Sequence, residues 1–137
     1  MKILIVDDVD YIRKSLSKVL KDNKFDCDLA ENGRIATEKL EQNSYDLVIT
    51  DIMMPDIDGF EFVDFIRDHA NTAISRMLIL VISGGSKTVN SDLALSMLEE
   101  KADGILQKPF SKAQLLEALE NAIGHDRYQR FVSSSAS

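Results

Sequence analysis

Short apolar runs alternate along the chain with stretches in which apolar residues recur at helical spacing. The runs cover residues 2–6, 26–30, 46–51, 77–82 and 104–107, each of strand length. Between the first two, Ile12, Leu16, Val19 and Leu20 stand at i, i+4, i+7 and i+8 and predict a helix over 9–22. A second helix is predicted over 33–43 and a third over 59–69, where Phe62, Val63 and Ile66 share a face. A fourth over 89–100 offers Leu93, Ala94, Met97 and Leu98, and a fifth over 111–123 offers Leu115, Leu116, Leu119 and Ile123, with Ser111 as its N-cap. The run 77–82 is apolar throughout, as expected of a strand covered on both faces. By contrast, Asp26 and Asp28 alternate with Cys27 and Leu29, which marks 26–30 as an edge strand with one wet face. Asp56-Ile57-Asp58-Gly59 supplies turn and capping chemistry ahead of the third helix.

Strands that alternate with helices form βαβ units and a parallel sheet, and right-handed crossovers restrict how such units can wind. The prediction is an α/β fold, a flavodoxin-like doubly wound sheet of five parallel strands in the order 2-1-3-4-5 with five helices. In that order the first and third strands are neighbours and the winding reverses between them, which opens a crevice at their carboxyl ends. The 137 residues suffice for one core of ordinary size. One domain is expected over 1–125. Residues 126–137, ending in Ser-Ser-Ser-Ala-Ser without an apolar period, are expected to form a C-terminal tail or linker stump.

The polar residues that end the apolar runs carry the chemistry. Asp7 and Asp8 follow the first run, Asp51 ends the third, Ser83 follows the fourth and Lys108 follows the fifth. Parallel strands would bring these three carboxylates, one hydroxyl and one ammonium to a single sheet edge. Clustered carboxylates repel one another unless a cation neutralises them, and a hard divalent ion with oxygen ligands, Mg²⁺, is the natural occupant. With such an ion and Lys108 neutralising a phosphoryl group, and Ser83 donating a hydrogen bond to it, one carboxylate becomes a nucleophile toward phosphorus. A cis bond between Lys108 and Pro109 would aim the ammonium over the strand ends. The formal charge of −7 disfavours direct binding to nucleic acid or an anionic membrane. The amino terminus lacks the long apolar region of a signal peptide, no apolar stretch is long enough to cross a bilayer, and the single cysteine, Cys27, reads as a small buried strand residue, so a cytoplasmic protein is expected.

Asp7-Asp8, Asp51 within Thr50-Asp51-Ile-Met-Met-Pro55-Asp-Ile-Asp-Gly59, Ser83-Gly84 and Lys108-Pro109-Phe110 together resemble the receiver domain of bacterial two-component response regulators, single-domain chemotaxis regulators included. The resemblance spans about residues 1–125 and implies a signalling domain, not an enzyme acting on an external substrate. Asp51 would accept a phosphoryl group from the phosphohistidine of a sensor histidine kinase or phosphotransfer protein. Asp8, Asp51 and the backbone carbonyl of Met53 would hold Mg²⁺, with Asp7 behind them, while Ser83 and Lys108 would contact the phosphoryl group. A downstream effector protein would bind the surface of the helix over 89–100, the strand over 104–107 and the helix over 111–123. Two features depart from the family pattern. Ile105 stands three residues before the lysine, where an aromatic ring is usual, and the Gly84-Gly85-Ser-Lys-Thr88 loop is extended.

A rival resemblance is to haloacid dehalogenase-like Mg²⁺-dependent phosphatases, with Asp8 as nucleophile and Asp10 as acid in a D-x-D pair. That family needs a further acidic pair after a strand beyond the lysine, and only Glu117, Glu120 and Asp126 follow here. Taken singly, Asp8 is a helix cap, Asp51 a turn residue, Lys108 a solvated lysine, and His69 and His125 surface residues.

Overall fold

A computed structural model describes residues 1–52, 57–84 and 92–135. Five parallel strands, β1 (Lys2–Val6), β2 (Asp26–Ala30), β3 (Leu47–Asp51), β4 (Leu78–Ser83) and β5 (Gly104–Gln107), form one sheet in the order β2-β1-β3-β4-β5. This is the doubly wound order expected from the alternating runs. The helices are α1 (Asp10–Asp22), α2 (Gly33–Gln42), α3 (Gly59–Arg67), α4 (Thr72–Ser75), α5 (Asp92–Lys101), α6 (Lys112–Ile123) and α7 (His125–Ser135).

Period-two alternation divides the strand side chains between two cores. Ile3, Ile5, Leu47, Ile49, Leu80 and Ile82 pack with Leu16 and Leu20 of α1 and Leu115 and Leu119 of α6. Leu4, Val6, Val48, Ile79 and Val81 pack with Leu40 of α2, Phe62 and Ile66 of α3 and Leu98 of α5. The edge strand β2 has its wet face as expected, with Asp28 accepting from the Tyr45 hydroxyl at 2.7 Å and pairing with Lys2 at 3.4 Å. Cys27 is buried, and burial pushes its thiol up to about 11, which leaves it protonated and unreactive near neutrality.

Among the described residues there are seven helices in place of the five expected, for two local reasons. Asn71 caps the extra turn α4 by accepting from the Ala73 amide at 2.9 Å. The other addition is α7. The segment read as a tail is helical over 125–135 because Tyr128 and Phe131, three residues apart, turn the same face inward. Phe131 stacks on Phe25 with ring centroids 4.7 Å apart, and Arg127 reaches Asp46 at 3.6 Å. Gly124, at φ +99°, makes the one-residue corner between α6 and α7, a conformation that L side chains rarely adopt. His69 is half-buried rather than a surface residue, accepting from the Asn71 amide and paired with Glu41 at 2.7 Å.

Candidate functional site

The register of the sheet brings the polar run-ends together. Val6 pairs with Thr50, Asp51 with Ile82 and Ser83 with Gln107, so Asp7, Asp51, Ser83 and Lys108 meet along one edge. Parity refines their placement. Asp7 and Asp51 continue the alternation of Ile3, Ile5 and of Leu47, Ile49, the side chains that face α1 and α6. Backbone bonds extend the pairing past the strands, with the Asp7 amide donating to Ala30 at 3.2 Å and the Lys108 amide to Ser83 at 2.9 Å. A cis peptide bond joins Lys108 to Pro109.

Oxygen atoms of Asp7, Asp8 and Asp51 all lie within 4.8 Å of one another, a set that could hold a metal ion. Asp7 is 1% exposed and Asp51 5%, whereas Asp8 is open to solvent, so the cluster has a buried floor and an accessible rim. Lys108 Nζ is 3.2 Å from Asp51 Oδ2 and 3.6 Å from Asp7 Oδ2, one ammonium against two buried carboxylates. Asp7 Oδ1 accepts from the Val9 amide at 2.8 Å, but Asp7 Oδ2 has no hydrogen-bond partner among the described residues. A buried carboxylate oxygen so left carries a desolvation cost that a hard cation would offset. Ser83 is buried at the end of β4. Met53, expected to offer a carbonyl, lies outside the described residues, as do 85–88 of the loop after Ser83.

Burial pushes the Asp7 carboxyl above its ordinary value; the Val9 amide and Lys108 oppose this, and Asp51 and Asp8 add to it. In the folded chain Asp7 therefore keeps its proton to a higher pH than in the unfolded chain. Its contribution to stability is full below the ordinary value of 3.8 and is lost as pH rises from there through the raised folded value. Asp7→Asn, which retains the Oδ1 acceptor, should make the metal-free protein more stable than wild type at pH 7. The difference should vanish as urea midpoints are followed down to about pH 3.5, below the ordinary carboxylate value. A variant less stable than wild type at neutral pH would contradict this.

Other expectations are revised by the local contacts. Asp8 does not cap α1: its N-cap position is Val9, with no side-chain hydrogen bond. The D-x-D acid of the phosphatase reading, Asp10, stands apart from the cluster, paired with Arg13 and Lys14 at 3.0 Å each. Ile105 is half-buried against the core under α3 and α5. Sequence reasoning missed the second task of Gly59. Asp58 does cap α3, accepting from Glu61 at 2.9 Å, but a Cβ on Gly59 would lie 2.5 Å from Ile52 Cα and 2.8 Å from the Asp51 carbonyl oxygen. The glycine lets the start of α3 sit directly on the segment that carries Asp51, and the Gly59 amide donates to Ile52 at 2.7 Å.

The sequence pattern of the response regulator receiver domain matches residues 3–120. This chain belongs to that family. Among curated relatives, the transcriptional regulatory protein SrrA of Staphylococcus aureus is 33% identical to the receiver over 115 residues, covering 84% of this chain and 44% of the relative. The 3',5'-cyclic-nucleotide phosphodiesterase regA of Dictyostelium discoideum is 33% identical over 125 residues, 90% of this chain and 15% of that protein. The receiver thus spans less than half the length of either relative. Among solved structures, the chemotaxis response regulator CheY4 of Vibrio cholerae is 32% identical with a TM-score of 0.77, covering 88% of this chain and 97% of that one. A response regulator receiver domain protein from Clostridium thermocellum is 25% identical with the same TM-score of 0.77, covering 93% and 98%. The receiver is a domain of response regulators, signalling proteins of the kind that works through phosphorylation. No helix among the described residues is long and apolar enough to cross a membrane.

Proposed function

We propose that this receiver takes a phosphoryl group on Asp51 from the phosphohistidine of a sensor kinase or phosphotransfer protein and uses it to change a partner-binding surface. One observation carries the reading: Lys108 Nζ lies 3.2 Å from the buried Asp51 carboxylate and 3.6 Å from Asp7, beside a third carboxylate. An Asp51 oxygen attacks phosphorus, a carboxylate oxygen–phosphorus bond forms, and the bond from phosphorus to the donor nitrogen breaks. Lys108 neutralises charge on the equatorial phosphoryl oxygens, and the Ser83 hydroxyl donates to one of them. Asp8, Asp51 and the carbonyl of Met53 would hold Mg²⁺, with Asp7 behind them. The donor set suits a hard cation: oxygen atoms only, one buried oxygen lacking a hydrogen bond, and an open rim at Asp8. When bound, the ion supplies charge neutralisation for the phosphoryl group. The methionine sulfurs nearby in sequence are too soft to compete as ligands.

Phosphorylated Asp51 would draw Ser83 and the segment leading to α5 toward its new oxygens, biasing the surface of α5, β5 and α6 that meets the effector. With no ring at position 105, Ser83 and that segment carry the change. The direct test of the chemistry is intact-mass measurement after incubation with acetyl phosphate and Mg²⁺. One phosphoryl increment is expected, abolished by chelation of the metal; a mass that never changes would contradict the reading. Asp8→Asn should bind Mg²⁺ about tenfold or more weakly by calorimetry. Its metal-free stability should equal or exceed that of wild type, because one repelling carboxylate has gone. Unchanged Mg²⁺ affinity would remove Asp8 from the ligand set.

A further inference from the structure

We propose that Arg13 is a positioning residue of the acidic site, holding the turn between β1 and α1 that carries Asp7 and Asp8. The turn has an unusual requirement. Helix α1 begins without a side-chain N-cap, so the usual means of fixing a helix entry is missing just where two site carboxylates leave the sheet. Two other contacts replace it. Asp7 Oδ1 accepts from the Val9 amide at 2.8 Å, and from the first turn of α1 the Arg13 guanidinium reaches back to donate to the Asp7 carbonyl oxygen at 2.5 Å. The second contact locks the peptide between Asp7 and Asp8, and so the direction in which both side chains leave the backbone. Asp10 steadies the guanidinium at 3.0 Å, and the Arg13 side chain is only 11% exposed. A charged hydrogen bond so shielded is stronger than a neutral one and is not exchanged freely for water.

Charge and geometry predict opposite signs for the loss of Arg13. Coulomb's law alone says that removing a cation beside three carboxylates should tighten the binding of another cation. Loss of Arg13 also uncovers Asp10, but that carboxylate is 64% exposed and keeps Lys14 at 3.0 Å, so solvent, salt and the remaining ammonium screen much of the change. The lost carbonyl contact then dominates, and Mg²⁺ binding should weaken. This inference rests on the reading of Asp8 and Asp51 as Mg²⁺ ligands.

The experiment uses the full chain as wild type, Arg13→Met, Arg13→Lys and Asp8→Asn. Thermal melts confirm folding, calorimetry with MgCl₂ gives affinity, and amide hydrogen exchange at Val9 in the metal-free protein reports on the turn. Arg13→Met should bind Mg²⁺ about tenfold more weakly, the effect expected when a group that orients ligands is removed. Its Val9 amide should exchange about tenfold faster, an opening made easier by the loss of one charged hydrogen bond. Arg13→Lys should recover most of both, since an ammonium can donate to the same carbonyl, and it supplies the comparison should the methionine variant misfold. Unchanged Val9 exchange in a folded Arg13→Met protein would overturn the proposal whatever the metal does. So would faster exchange with undiminished Mg²⁺ affinity. If Asp8→Asn binds Mg²⁺ like wild type, the ligand reading fails separately, and Val9 exchange still decides the role of Arg13.

Discussion

Arg67→Ala should lower the stability of the metal-free protein by about 3 kcal/mol, the range expected when several charged hydrogen bonds, most of them partly buried, are lost together. Arg67 is the last residue of α3, and its guanidinium donates to the carbonyls of Lys101 at 2.7 Å, Ser75 at 3.0 Å and Met77 at 2.7 Å, and to Asp103 at 3.0 Å. Asp103 Oδ2 in turn accepts from the Ile79 amide at 2.8 Å. One side chain thus ties α3 to the end of α4, the entry of β4, the end of α5 and the entry of β5. Lys101 also pairs with Asp64, so the end of α5 is attached to α3 twice. Removing the guanidinium leaves several carbonyls unpaired at once, which costs more than a surface ion pair would. Lysine cannot restore the planar fork, so Arg67→Lys should regain less than half of the loss. Urea unfolding measures it; a change below about 1 kcal/mol would show that water replaces these bonds freely. Because Arg67 lies at the amino ends of β4 and β5, across the sheet from Asp51, phosphorylation of the folded variant should continue.

At the site itself the largest effect is expected from Asp51→Asn, which should abolish phosphorylation by acetyl phosphate, since the amide cannot attack phosphorus and neighbouring carboxylates do not take its place. Lys108→Ala should behave differently. The nucleophile remains, but the ammonium at 3.2 Å that stabilises transferring charge is gone, so labelling should still occur, about a hundredfold more slowly. Intact-mass time courses at saturating Mg²⁺ separate the two outcomes. Equal rates for wild type and Lys108→Ala would show that Lys108 plays no part in the transfer.

The site was legible because its residues end apolar runs, and the sheet order that follows from alternating strands and helices brings run-ends to one edge. Asp7, Asp8, Asp51 and Lys108 meet there for that reason. What stayed hidden depends on contacts between segments distant in sequence. Arg67 has an ordinary surface-lysine or arginine context in its helix, and nothing local shows that it reaches Lys101 or Asp103. Arg13 sits on the polar side of the α1 pattern, and its task depends on a missing cap that only the backbone geometry reveals. Gly59 was read as turn chemistry, which it is, but its close approach to Ile52 needs the packing of α3 on β3 to be seen. For α7 a signal was present: Tyr128 and Phe131 stand one helical turn apart, yet the serine-rich end of the chain outweighed them in a reading by composition.

The decisive measurement is the position of the phosphoryl group in wild-type protein after incubation with acetyl phosphate and Mg²⁺, fixed by borohydride reduction of the acyl phosphate and peptide mapping. Reduction is expected at Asp51 alone, with one increment per chain and no sustained turnover of a generic phosphomonoester. A reduced Asp8, or multiple turnovers on such an ester, would contradict it.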